Sequence, residues 1–226
     1  MAAATTLRLR EGSNPATWRG HLQTILPAPK KISKTKHFKA LSYRQIPALL
    51  LKLHDLCTVG SLALEFTILN ASRSGEVFGG LRSEVDGGIW TIPGERMKAK
   101  KEHRVPLCAR SLEILQIARA MDPDSKYLFS RKGKPLSGMA MTMIMRRLKL
   151  DATVHGFRSA FRDWASEETS HSSEVIEMAL AHAIRNKVEA AYRRKDLLEK
   201  RRSLLVDWEI YCTSTAANNI VELKAA

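Results

Sequence analysis

The chain has 226 residues, room for one good-sized domain or a domain with a remnant attached. It carries 37 lysines and arginines against 23 acidic residues, a formal net charge of +14, which suits a polyanion, nucleic acid before an acidic membrane surface. No apolar run reaches the ~18 residues of a bilayer span and the first ten residues lack an apolar core, so neither a membrane helix nor a secretory leader is expected.

In chain order, residues 11–19 hold Gly, Ser, Asn and Pro and end near Trp18; a short helix over 18–25 follows. Prolines 27 and 29 and the basic run from Lys30 to Lys36 disfavour a packed element, so the first 40 residues read as a linker with a scrap of structure before it. A helix is expected from Ser42, because Ser42 and Gln45 have capping-box spacing, Pro47 falls in the first turn and Leu49, Leu50, Leu53 and Leu56 follow. A second helix is expected over 62–70 and a third from Ser72 or Ser74. Ile89 to Ile92 and His103 to Leu107 read as strands around the Pro93-Gly94 turn, a small antiparallel sheet with a basic hairpin carrying Arg96, Lys98, Lys100 and Lys101. The rest reads as helical: 111–121, 137–148, 154–167, 173–183, 187–192 and 197–211. The fold class is therefore α+β, mainly α, with one small antiparallel β-sheet.

Three cysteines, Cys57, Cys108 and Cys212, lie far apart with no CxxC pair. That argues against a disulfide framework and a zinc ribbon, and for a reducing, cytoplasmic setting.

Four clusters carry chemistry. Arg73 follows an apolar helix; Lys98 sits in the basic hairpin; His155 and Arg158 are three apart on one helix face; and His182 precedes Tyr192, which Arg193 and Arg194 flank. Each alone has an ordinary reading as a solvated charge or a core residue. Together they match the needs of phosphodiester exchange. The non-bridging oxygens gain charge in the transition state, and arginine forks meet that charge while staying protonated. A nucleophile must attack phosphorus and an acid must protonate the leaving oxygen. Arg73 and Arg158 could clamp, Tyr192 attack, a hairpin lysine protonate, and His155 and His182 move protons or hold the phosphate.

This ordered set resembles the tyrosine recombinase signature, in the wording of bacteriophage and genomic-island integrases. The stretch from Thr67 to Val77 is similar to the family's first arginine box, and Arg96-Met97-Lys98 with Arg104-Val105-Pro106-Leu107 to its lysine hairpin. In the family this lysine typically sits eight residues before the proline of the Val-Pro-Leu strand, so the resemblance implies Lys98 over Lys100 and Lys101. His155-Gly156-Phe157-Arg158 resembles the second box, and Leu180-Ala181-His182 with Ala191-Tyr192-Arg193-Arg194 the end of the site. The resemblance covers about 41–212.

It implies a helical catalytic domain over 41–212, with a remnant of a core-binding domain and basic linker over 1–40 and a tail over 213–226. It implies Tyr192 as nucleophile forming a 3′-phosphotyrosyl link, with Arg73, Arg158 and His182 on the phosphate. Lys98 would be the general acid, His155 would assist with the tyrosine proton, and Glu76 would orient the first box. Lys100, Lys101, Arg193 and Arg194 would contact DNA. It implies no cofactor and no metal, double-stranded DNA as partner, a tetramer with neighbouring protomers on DNA, and work in a bacterial host cell at its nucleoid. The function implied is site-specific integration and excision. Competing readings are a type IB topoisomerase, a truncated DNA-binding remnant of an integrase, and, more weakly, a zinc protein built on His155, His171 and His182. Leu197, Leu198, Leu204, Leu205, Trp208 and Tyr211 recur at helical spacing, and that helix could pack on a neighbour or on its own domain. Gly79 and Gly80 replace the bulkier residues expected after the first box, and the sequence offers no account of them.

Overall fold

The structure, a computed structural model, describes residues 7, 14, 16–26, 39–182 and 196–214. It divides into two units, Met1–His37 and Phe38–Ala226. In the first, a turn over Trp18–Leu22, broken at Arg19 and Gly20, leads into Gln23–Ile25; neither buries a residue.

In the second unit, the Tyr43–Gln45 turn leads into α1, Ile46–Leu56. Ser42 makes no side-chain cap, so the expected capping box is absent; Tyr43 instead turns inward and its hydroxyl donates toward Glu167 or Glu168, each 2.8 Å away. Pro47 sits in the first turn, where no intrahelical bond is lost, and Ile46, Leu49, Leu50 and Leu53 form the buried stripe. The box that does exist belongs to α2, Val59–Leu69: Thr58 and Ser61 cap each other at 3.1 and 2.9 Å. Every residue from Ser61 to Leu69 is buried, which makes α2 the central helix of the core. Its one acid, Glu65, is compensated by Arg110 at 2.7 Å, as a buried carboxylate requires.

After α2 come the short α3, Ser74–Phe78, and three antiparallel strands, β1 Val85–Asp86, β2 Ile89–Ile92 and β3 His103–Pro106. Trp90 faces Val105, and Ile92 faces His103. Trp90, Ile92 and Val105 close over the core, with Trp90 against Phe66. Among the described residues five more helices follow: α4 Ala109–Met121, α5 Ala140–Arg147, α6 Gly156–Glu168, α7 Ser173–Ala179 and α8 Leu198–Thr213. α2 touches α1, α4, α5, α6 and α8. The fold is thus mainly helical with a small antiparallel sheet, as the patterning implied. A second, two-stranded ribbon of β4 Ser130–Arg131 and β5 Lys134–Pro135 was not read from the sequence. It turns at Lys132 and Gly133, both at positive φ.

α8 packs on its own domain. Leu204, Leu205 and Trp208 are buried, and Trp208 joins Phe161, Trp164 and Tyr211 in one aromatic cluster. Its indole N–H donates to the Ile68 carbonyl at 3.0 Å, tying α8 to the end of α2. The expected helix over 187–192 lies outside the described residues. Among those described, no helix is long and apolar enough to cross a membrane.

Candidate active site

Two helix ends build the centre of the site. At the end of α2 the Ala71 N–H bonds to Ile68 O and the Ser72 N–H to Thr67 O, each at 3.1 Å. At the end of α7 the Ala181 N–H bonds to Met178 O and the His182 N–H to Glu177 O, each at 3.0 Å. Both are Schellman closures, and both place alanine where glycine is favoured, at φ 45° for Ala71 and 48° for Ala181. An L-residue there costs roughly 1–2 kcal/mol, which the surrounding packing must hold. The first closure launches Arg73; the second delivers His182.

Arg158, on α6, bridges the two ends. One nitrogen of its buried guanidinium donates to the Ala71 carbonyl and the other to the Leu180 carbonyl. Both acceptors stand at helix C-termini, where the macrodipole is negative. Arg73 comes to the same place: its Nη2 lies 3.4 Å from Leu180 O and 3.3 Å from Ala181 O. Burial first, and the charge of Arg73 second, push the Arg158 pKa down to about 10, with Glu76 and Glu177 opposing. The group still carries its charge at neutral pH, and its Nε donor has no partner.

Glu76 fixes Arg73 at both ends. One carboxylate oxygen takes the Arg73 backbone N–H at 2.9 Å and the other takes Nη1 at 2.7 Å. Glu76 is itself buried.

His155 stands at the N-cap position of α6, one turn before Arg158, and its side chain makes no cap bond. Its pKa is lowered, by desolvation first and then by the positive charges of Arg158, Arg73, His182 and Lys98. Those four groups therefore share one electrostatic neighbourhood with it. Gly156 is required here because a Cβ would lie 2.3 Å from Lys39 O and 2.8 Å from the Ala40 Cα. The same Lys39 carbonyl accepts the Thr153 N–H at 2.9 Å, which pins the loop before His155.

Lys98 is exposed in the loop between β2 and β3, beside the buried anchor Met97. Lys100 and Lys101 are exposed as well. Arg96, expected with them on the basic hairpin, goes the other way: it donates to Glu76 O at 2.8 Å and pairs with Glu84. Its inward turn bears on Gly79, and Leu128 bears on Gly80. A Cβ on Gly79 would meet Arg96 Nη1 at 3.0 Å, and one on Gly80 would meet Leu128 Cδ1 at 2.6 Å.

His182 Nδ1 lies 2.5 Å from Glu177 Oε2. His171 pairs with Asp207 at 2.7 Å, so it and His182 are committed to different carboxylates. Among the described residues no group of three or more His, Cys, Asp or Glu is placed to hold a metal ion. Tyr192, Arg193 and Arg194 lie outside the described residues.

Sequence reasoning missed several groups. His103, on β3, is half-buried; burial first, then Arg201, push its pKa down to about 4, with Glu76 opposing and Arg73 adding to the fall. Arg201, 2% exposed, donates to Asp196 O at 2.8 Å and to Arg104 O at 2.5 Å, so it ties α8 to β3. Glu177 and Arg162 form a 2.8 Å ion pair next to His182. Their roles are not legible locally, because the Arg104 partner of Arg201 and the Arg162 partner of Glu177 come from different elements.

Solved structures share this architecture. Lambda integrase, from a tetramer bound to a Holliday junction, superposes with a TM-score of 0.59 at 15% identity, over 86% of this chain and 56% of that one. The lambda integrase catalytic core gives 0.51 at 16% identity, over 66% of this chain and 94% of that one. The fold is that of a tyrosine recombinase catalytic domain. The model of the phage integrase family matches residues 39–198, and the chain belongs to that family. Relatives include the prophage integrase IntA of Escherichia coli K12, 30% identical over 68% of this chain and 39% of that protein. The integrase of Enterobacteria phage P4 is 28% identical over 88% of this chain and 49% of that protein. The chain thus spans half or less of the length of these curated relatives.

Proposed function

We propose that this domain breaks and rejoins DNA in site-specific integration and excision. The observation that carries the reading is the convergence of Arg73 and Arg158 on one carbonyl, Leu180 O, two residues before His182. Two guanidiniums held side by side, with donors left over, form a preorganised receptor for a phosphate whose charge grows in the transition state.

The steps follow. The Tyr192 oxygen attacks the scissile phosphorus, and the bond from phosphorus to the 5′ oxygen breaks. Lys98 gives that oxygen its proton, so a 5′-hydroxyl leaves and a 3′-phosphotyrosyl ester remains. His155 assists removal of the tyrosine proton; its lowered pKa favours the neutral ring that an acceptor needs. A second strand's 5′-hydroxyl then attacks the ester and restores Tyr192. The bond energy stays in the ester, so no cofactor enters, and the arginines take the charge-stabilising part a metal would otherwise play.

In the same reading residues 41–212 are the catalytic unit, and residues 1–40 a basic linker with the tail of a core-binding domain. Lys100, Lys101, Arg193 and Arg194 grip the DNA backbone. The lambda integrase neighbours include a dimer bound to a COC′ core site and a tetramer bound to a Holliday junction, which supports a DNA-bound tetramer here. The site of action is the bacterial cytoplasm, at the nucleoid. The test is cleavage of a nicked suicide duplex carrying the element's own site, with and without EDTA. Undiminished cleavage in EDTA is expected; strict dependence on a divalent ion would overturn the mechanism. Supercoil relaxation without strand exchange would point to a topoisomerase instead.

A further inference from the structure

We propose that Glu177 is a positioning residue that sets which ring nitrogen of His182 meets the phosphate; this rests on the reading that His182 works there. Glu177 grips His182 twice. Its main-chain carbonyl accepts the His182 N–H at 3.0 Å, closing the end of α7, and its carboxylate lies 2.5 Å from the ring Nδ1. A carboxylate only accepts, so Nδ1–H is fixed on Glu177, and a phosphate oxygen, also an acceptor, is met by the other ring nitrogen as Nε2–H, in the doubly protonated ring.

The carboxylate is itself held. Arg162 Nε donates to its other oxygen at 2.8 Å. Burial opposes ionisation of Glu177, but the hydrogen bond from His182, the charges of His182 and Arg162 and the Arg162 hydrogen bond outweigh it, and the pKa is lowered. Arg162 stands one helical turn beyond Arg158 on α6. One face of α6 therefore supplies the guanidinium that bridges the two helix ends and, through Glu177, the brace on the second imidazole. Without the carboxylate the ring can rotate, which removes the fixed Nε2–H contact with the substrate.

The experiment is a double-mutant cycle on the suicide duplex, with DNA affinity and melting temperature measured alongside. Glu177→Ala is expected to slow cleavage about ten- to hundredfold, by analogy with the cost of losing a carboxylate that orients a metal-bound histidine. Affinity should hold. Glu177→Gln, whose amide oxygen still accepts from Nδ1, should recover most of the rate, and covers the case in which the alanine variant does not fold. In a His182→Ala background, Glu177→Ala should cost nothing further. An equal cost in both backgrounds would show that Glu177 acts other than through His182 and would overturn the proposal while leaving the phosphate reading intact. Full cleavage by His182→Ala alone would remove His182 from the phosphate, and the proposal with it.

Discussion

Arg158→Lys keeps the charge and removes the fork. In the native fold that fork serves two buried carbonyls, Ala71 O and Leu180 O, one on each nitrogen. A lysine ammonium at one point can serve only one of them. The other is left buried without a donor, at a cost of about 1–3 kcal/mol. Some of this is offset, because the unpaired Nε of Arg158 disappears with the guanidinium. A net loss of about 1–2 kcal/mol lowers the melting temperature of a unit this size by roughly 2–8 °C. The effect on chemistry should be larger. Losing one preorganised donor set costs on the order of 100- to 1000-fold in rate. Differential scanning calorimetry and single-turnover cleavage of a suicide duplex measure the two effects separately. A melting temperature within about 1 °C of wild type, with cleavage within about threefold, would refute the bridge.

Two further outcomes are expected. The folded pKa of His103 is about 4, below the ordinary 6.5, so its contribution is fully present above pH 6.5 and is lost as pH falls from 6.5 toward 4. The loss amounts to about 3 kcal/mol at most, at about 1.4 kcal/mol per unit. Urea midpoints followed against pH should fall less steeply in His103→Gln, and equal slopes would contradict the assignment. Lys100→Ala and Lys101→Ala should each reduce the slope of log affinity against log salt by about 0.9 if each meets one phosphate; unchanged slopes would place both away from the DNA.

The sequence showed what local chemistry encodes. The period of the apolar residues located most helices, and the Pro93-Gly94 turn located the hairpin of β2 and β3. The capping box was misplaced because Ser42 with Gln45 matches the usual pattern of Ser or Thr followed three residues on by Glu or Gln, whereas Thr58 with Ser61 does not. What decides the outcome is tertiary: Tyr43 is drawn into the core beside Glu167 and Glu168, whereas Thr58 is free to close on Ser61. Arg96 reads as one more cation of a basic loop, yet Glu84 and the Glu76 carbonyl draw it inward. Gly79, Gly80 and Gly156 acquire reasons only when Arg96, Leu128 and Lys39 arrive against them. The same holds for the site. Arg73, His155, Arg158 and His182 stand out by spacing. The groups that hold them, Glu177, Arg162 and the carbonyls of Ala71 and Leu180, are common residues whose roles arise from two helix ends meeting.

The central claim is that this fold prepares a phosphate for attack by Tyr192. The direct measurement is mass spectrometry of the protein after incubation with a nicked suicide duplex. The account predicts one covalent DNA adduct, mapped to the peptide containing Tyr192, joined through a 3′-phosphate and absent from Tyr192→Phe. An adduct that persists in Tyr192→Phe, or maps to another residue, would contradict it.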